Sequence, residues 1–110
     1  MTNVYVAGIA MTVFGRHPER SLHDLAGEAL QGALADAGCA AADIGAAYCS
    51  GMTNGTLQGQ ISIPGQVIFS KIGIEGIPIY NVENACASGS SALNLAVQSL
   101  KAGTTDVTLA

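Results

Sequence analysis

Among the side chains able to act as nucleophile, acid or base, Cys86 has the most suggestive neighbours. Residues 78–83 (PIYNVE) alternate like a β-strand, residues 84–91 (NACASGSS) form a run of small residues, and residues 92–102 carry helical apolar spacing up to Gly103. This order places Cys86 where a helix begins, beside backbone N–H groups that lack partners and at the positive end of the helix dipole. Both favour thiolate over thiol. Ala85, Ala87, Ser88, Gly89, Ser90 and Ser91 are small, so a bulky thioester could approach the sulfur, and Gly89 permits close backbone approach. The amides of Cys86 and Gly89 could hold an oxyanion as an acyl group is transferred. The bland alternative is a small buried thiol at a helix start, which is common in cores.

The other reactive groups are less informative. Cys39 follows Gly38 at a helix end and Cys49 lies within an apolar strand, so both read as structural. Three cysteines with no CxxC pair and no zinc-spaced histidine argue against a disulfide framework or a metal site; they point to reduced thiols and a cytoplasmic location. His17 and His23 fall in a polar break and a first helical turn, where solvated histidines are ordinary. Glu83 reads either as a solvated strand end or as an acid near the site, and its place at the end of the strand favours the structural role. No GxGxxG follows a strand, no GxxxxGK[ST] occurs, and ASGSS at residues 87–91 lacks the order of a serine hydrolase elbow.

Composition narrows the function classes. Of 110 residues, 49% are hydrophobic and only 11% charged, well under the roughly 25% usual in soluble domains. Part of the surface is therefore expected to pack on chain outside these residues. The net charge of -4, with four basic residues and no basic cluster, argues against a nucleic-acid surface. Apolar stretches are broken by Gly, Asn, Gln and Pro, so no membrane span is expected, and the opening run lacks the basic start of a signal peptide.

The elements that must position Cys86 alternate. Residues 3–14 read as a first strand, rich in apolar and β-branched side chains. Ser21 and Asp24 form a capping-box pattern ahead of a helix that Gly38 ends. Residues 46–50 read as a buried strand, 51–59 as a binding or interface loop, 64–73 as a helix entered at Pro64, and 106–110 as a last strand. That alternation predicts an α/β fold with a parallel or mixed sheet. No charged residue lies between Glu83 and Lys101, so the last helix is expected to be covered on more than one side.

The stretch NVENACASGSSAL (residues 81–93), followed by LKAG, resembles the nucleophile segment of thiolases, above all the sterol-carrier-type and lipid-transfer-like branch. VYVAGIAMTVFG, the NGTLQGQ loop and GIEGIPIYNVEN extend the resemblance along the chain. Many thiolases carry Asn three residues before the cysteine, where this chain has Glu83. The resemblance implies the first part of a layered αβαβα fold, truncated before the rest of the first half and the whole C-terminal half. It implies Cys86 as the acyl-carrying nucleophile, acyl-CoA as partner with coenzyme A as substrate and no further cofactor, and a homo-oligomer. The activating His and a second acid/base residue would lie in chain not present here, so residues 1–110 alone are expected to show no turnover. Two other readings stay open: a ketoacyl synthase-like enzyme, and a non-catalytic thiolase-like protein that binds lipid or a partner.

Overall fold

The computed structural model describes residues 2–110. Its first regular element is α1, Leu22–Ala37, and its start is fixed by the predicted capping box. Ser21 Oγ accepts the Asp24 N–H at 3.1 Å, and Asp24 Oδ2 accepts the Ser21 N–H at 2.8 Å. These hydrogen bonds hold the Asp24 carboxyl below the ordinary carboxylate range. At the other end Gly38 adopts the left-handed conformation at φ 68°, and the Cys39 N–H closes on the Leu34 carbonyl at 3.0 Å.

A three-stranded parallel sheet forms the centre, in the order β2-β1-β3. Strand β1, Ala46–Ser50, pairs with β2, Ile79–Val82, and with β3, Thr108–Leu109. Two short helices lie between β1 and β2: α2, Asn54–Gln58, and α3, Pro64–Ser70. Helix α4, Ser88–Lys101, connects β2 to β3.

Successive side chains of β1 leave opposite faces, and each face has its own core. On one face Ala47 packs with Ile44, Ile68, Phe69, Ile74 and Leu109, backed by Leu30 and Leu34 of α1. On the other, Ala46 and Tyr48 meet Ala92 and Ala96 of α4. The result is a helix, sheet, helix sandwich of the α/β class. Ala residues at 46, 92 and 96 let α4 lie close on the sheet. Only that face of α4 is covered: Leu93, off that face, is 54% exposed, and the second layer expected for this uncharged helix is not among the described residues.

Residues 3–14 differ from expectation. They form no strand, although Tyr5, Val6, Ile9, Met11, Val13 and Phe14 give the segment strand composition, and all six remain exposed, Phe14 at 87%. The segment lies on α1 instead of beside a sheet edge. The Ile9 N–H donates to Asp36 Oδ2 at 2.9 Å, and a Cβ added at Gly8 would stand 2.5 Å from the Ala33 carbonyl oxygen. Composition creates strand propensity, but a strand also needs a ladder partner, which the described residues do not offer.

The link from α3 to β2 is fixed by polar side chains. Asn81 Oδ1 accepts the Gly65 N–H at 2.7 Å, Asn81 Nδ2 donates to Gln66 Oε1 at 2.7 Å, and Gln66 Nε2 donates to the Ile79 carbonyl at 3.2 Å. A Cβ at Gly65 would lie 2.8 Å from both Asn81 Oδ1 and the Cys49 Cβ, so this buried position has no room for one. Replacing Gly65 by Ala should therefore destabilise the fold by about 1–3 kcal/mol in denaturant unfolding, and an unchanged midpoint would show that the junction yields freely. Ile74, 2% exposed, anchors the α1/α3 side. Ile74→Ala should cost about 2–5 kcal/mol by the same measurement.

Candidate functional site

Cys86 lies in a 3-10 turn, Ala85–Ala87, that joins β2 to α4. Its residue is exposed. Helix α4 begins at Ser88, so Cys86 stands just ahead of the helix and not within its first turn; the run read as a turn to residue 91 is helical from Ser88 onward. The N-cap residue Ala87 makes no side-chain cap, and the Ser88 N–H closes on the Ala85 carbonyl of the preceding turn.

The residue before the cysteine has unusual backbone geometry. Ala85 sits at φ 48°, and only Ile63 shares a positive φ among the described non-glycine residues. For an L-residue this conformation costs roughly 1–2 kcal/mol, so neighbouring contacts must hold it. The Ala85 N–H donates to Glu83 Oε2 at 2.5 Å, and the Ala85 carbonyl accepts the Ser88 hydroxyl at 2.7 Å. Ser88 Oγ also accepts the Asn84 N–H at 2.9 Å, and the Ala87 N–H closes on the Asn84 carbonyl at 2.9 Å. Asn84 Nδ2 reaches Ser91 Oγ at 3.0 Å, tying the turn to the next helical turn. Ser88 is 6% exposed and is the buried polar residue of this part of the fold.

Gly89 lies beside this turn with open space around it: an added Cβ would meet nothing within 4 Å. Internal packing therefore does not require glycine there. A hollow of about 330 Å³ is lined by Cys49, Met52, Asn54, Gln60, Ile61 and Glu83 among others. The segment read as a loop, residues 51–59, contributes to that wall and folds at its centre into α2. Burial pushes the Cys49 thiol above its ordinary range, which favours the neutral thiol over the thiolate. Cys39 is half-buried at the end of α1.

A second hollow, about 420 Å³, lies on the α4 side of the sheet between Tyr48, Tyr80, Leu95 and Ser99. Tyr48 and Tyr80 stack across the β1/β2 pair with ring centroids 5.0 Å apart, and the Tyr48 hydroxyl is hydrogen-bonded to Ser99 Oγ.

The histidines are placed elsewhere. His17 Nε2 bonds the Val13 carbonyl at 2.8 Å. His23, expected to be solvated, has a covered Nε2 with no hydrogen-bond partner. Glu83 is the residue that sequence reasoning undervalued; its carboxylate bonds back to the chain at the cysteine turn. The described residues contain no cluster of His, Cys, Asp and Glu able to hold a metal ion, and no helix long and apolar enough to cross a membrane.

Comparison with known proteins gives this geometry a family. The chain is 43% identical over 109 residues to sterol carrier protein 2 of Gallus gallus, covering 97% of this chain and 19% of that protein. It is 36% identical over 110 residues to acetyl-CoA acetyltransferase of Methanothermobacter thermautotrophicus, covering 100% of this chain and 28% of that enzyme. The solved acetyl-CoA acetyltransferase of Syntrophomonas wolfei superposes with a TM-score of 0.80 at 28% identity, over 94% of this chain and 27% of its own. The chain thus spans between about a fifth and somewhat over a quarter of the length of these relatives. The family described as thiolase, N-terminal domain, matches residues 4–110, and the chain belongs to that family.

Proposed function

We propose that Cys86 is the acyl-accepting nucleophile of a thiolase-type acyltransferase, and that its donor is an acyl-CoA. The observation that carries this reading is an exposed cysteine in a turn held at Ala85 by bonds to both its N–H and its carbonyl, immediately before the uncapped start of α4. An acyltransferase relative at 36% identity supports it.

In the proposed step the Cys86 thiolate attacks the thioester carbonyl and forms a new C–S bond, while the carbonyl π electrons move to oxygen. Backbone amides at the turn, with those of Cys86 and Gly89 as candidates, stabilise that oxyanion. Collapse restores the carbonyl, breaks the original C–S bond and releases the CoA thiolate, which takes a proton. A free CoA thiol or the carbanion of a second acyl-CoA then removes the acyl group from Cys86. Coenzyme A is substrate here, and the reading calls for no other cofactor.

A base must take the thiol proton. His17 bonds the Val13 carbonyl, and the thiolase resemblance draws the activating His from a different segment, so neither His17 nor His23 is assigned that task. The reading places the base in chain outside residues 1–110, within a homo-oligomeric whole protein. A second reading, a non-catalytic thiolase-like binding protein, draws on the name of the relative from Caenorhabditis elegans, non-specific lipid-transfer protein-like 2, at 39% identity.

Substitution separates the two. In the naturally occurring protein that carries this chain, Cys86→Ala should lower acyl transfer from acetyl-CoA by about 10⁴-fold or more, whereas Cys39→Ala should retain activity. Acyl transfer that survives Cys86→Ala would overturn the nucleophile, and a wild-type protein that binds acyl-CoA without turnover would favour the binding reading.

A further inference from the structure

We propose that Glu83 is a positioning residue for Cys86: by accepting the Ala85 N–H, its carboxylate keeps Ala85 left-handed and so aims the cysteine that follows. The inference deepens the nucleophile reading and rests on it for its functional meaning, although the positioning itself can be measured without acyl transfer.

The argument begins with the backbone. Cys86 is attached directly to Ala85, so the Ala85 dihedrals set the direction in which the Cys86 side chain leaves the turn. Ala85 holds φ 48°, where L-residues other than Gly, Asn and Asp are uncommon. Such conformations persist only where the surroundings over-determine them. The determination here is two-sided. Ser88, which is buried, takes the Ala85 carbonyl, and Glu83, which is exposed, takes the N–H.

Glu83 is the side of this clamp that needs a functional account. An exposed carboxylate could be solvated by water as readily as by an amide, yet it folds back two residues to accept the Ala85 N–H. A carboxylate accepting a backbone N–H makes one of the stronger hydrogen bonds available to a chain. The same residue forms part of the wall of the 330 Å³ hollow. Glutamine could accept the same N–H through its carbonyl oxygen, and alanine could not. Glycine at position 85 would populate the left-handed region without help.

These relations define the test. In the naturally occurring protein, the rate of Cys86 alkylation by iodoacetamide is measured by peptide mapping for wild type, Glu83→Ala, Glu83→Gln and the double variant Glu83→Ala/Ala85→Gly. Acetyl-CoA turnover is followed in parallel. We expect Glu83→Ala to slow both reactions about tenfold or more, Glu83→Gln to stay within about threefold of wild type, and the added glycine to recover most of the lost rate. If Glu83→Ala fails to fold, the double variant and Glu83→Gln still give the answer. Wild-type rates in Glu83→Ala, or equal losses in Glu83→Ala and Glu83→Gln with no recovery from glycine, would overturn the proposal. A wild type that alkylates at Cys86 with the expected pattern but turns over no acetyl-CoA would leave the positioning standing and remove the acyltransferase reading.

Discussion

The buried Ser88 hydroxyl is the contact on which the functional end of this fold depends. It gives its proton to the Ala85 carbonyl and accepts the Asn84 N–H, so one atom closes the turn and sets where α4 starts. A buried polar group left unpaired costs free energy, and these two bonds remove that cost for the Ser88 hydroxyl. The strand below is equally constrained. Val82 ends β2 and packs against the Ala46, Tyr48, Ala92 and Ala96 cluster, so the turn is anchored to the sheet on one side and to α4 on the other.

The sheet contributes by keeping its two faces different. Ala46 and Tyr48 face a helix with small contact residues, while Ala47 and Cys49 face bulky Ile and Phe side chains from α3 and its neighbourhood. A one-residue slip of β1 would exchange those faces and displace β2, and the cysteine turn with it. Asn81 adds a polar lock on the register, since its side chain links β2 to the start of α3 at Gly65. Exposed apolar side chains on residues 3–14 and on the outer face of α4 show that this packing covers only part of the apolar surface. This agrees with a chain whose relatives are several times longer.

Much of this was legible in the sequence because it depends on local patterns. The Ser21 and Asp24 box, Gly38 as a stop, and Pro64 as a helix entry all act within a few residues, and each appears where its chemistry predicts. The alternation of helices and parallel strands followed from the same signals. The first strand did not form, since strand propensity at residues 3–14 says nothing about whether a pairing edge is present. Helix α4 began four residues earlier than its apolar period, because Ser88 to Ser91 have no apolar stripe to reveal them. The left-handed Ala85 was invisible to propensity, as alanine gives no hint of positive φ. Glu83 looked like a solvated strand end because a bond from a side chain to the backbone two residues later leaves no periodic trace.

The central claim is that Cys86 carries the acyl group. The most direct measurement incubates the naturally occurring protein with acetyl-CoA alone, quenches in acid to preserve thioesters, and maps peptides by mass spectrometry. The account predicts an acetyl group on the peptide containing Cys86, lost on treatment with hydroxylamine, with Cys39 and Cys49 unmodified. Acetylation at another residue, or none while acyl transfer proceeds, would contradict it.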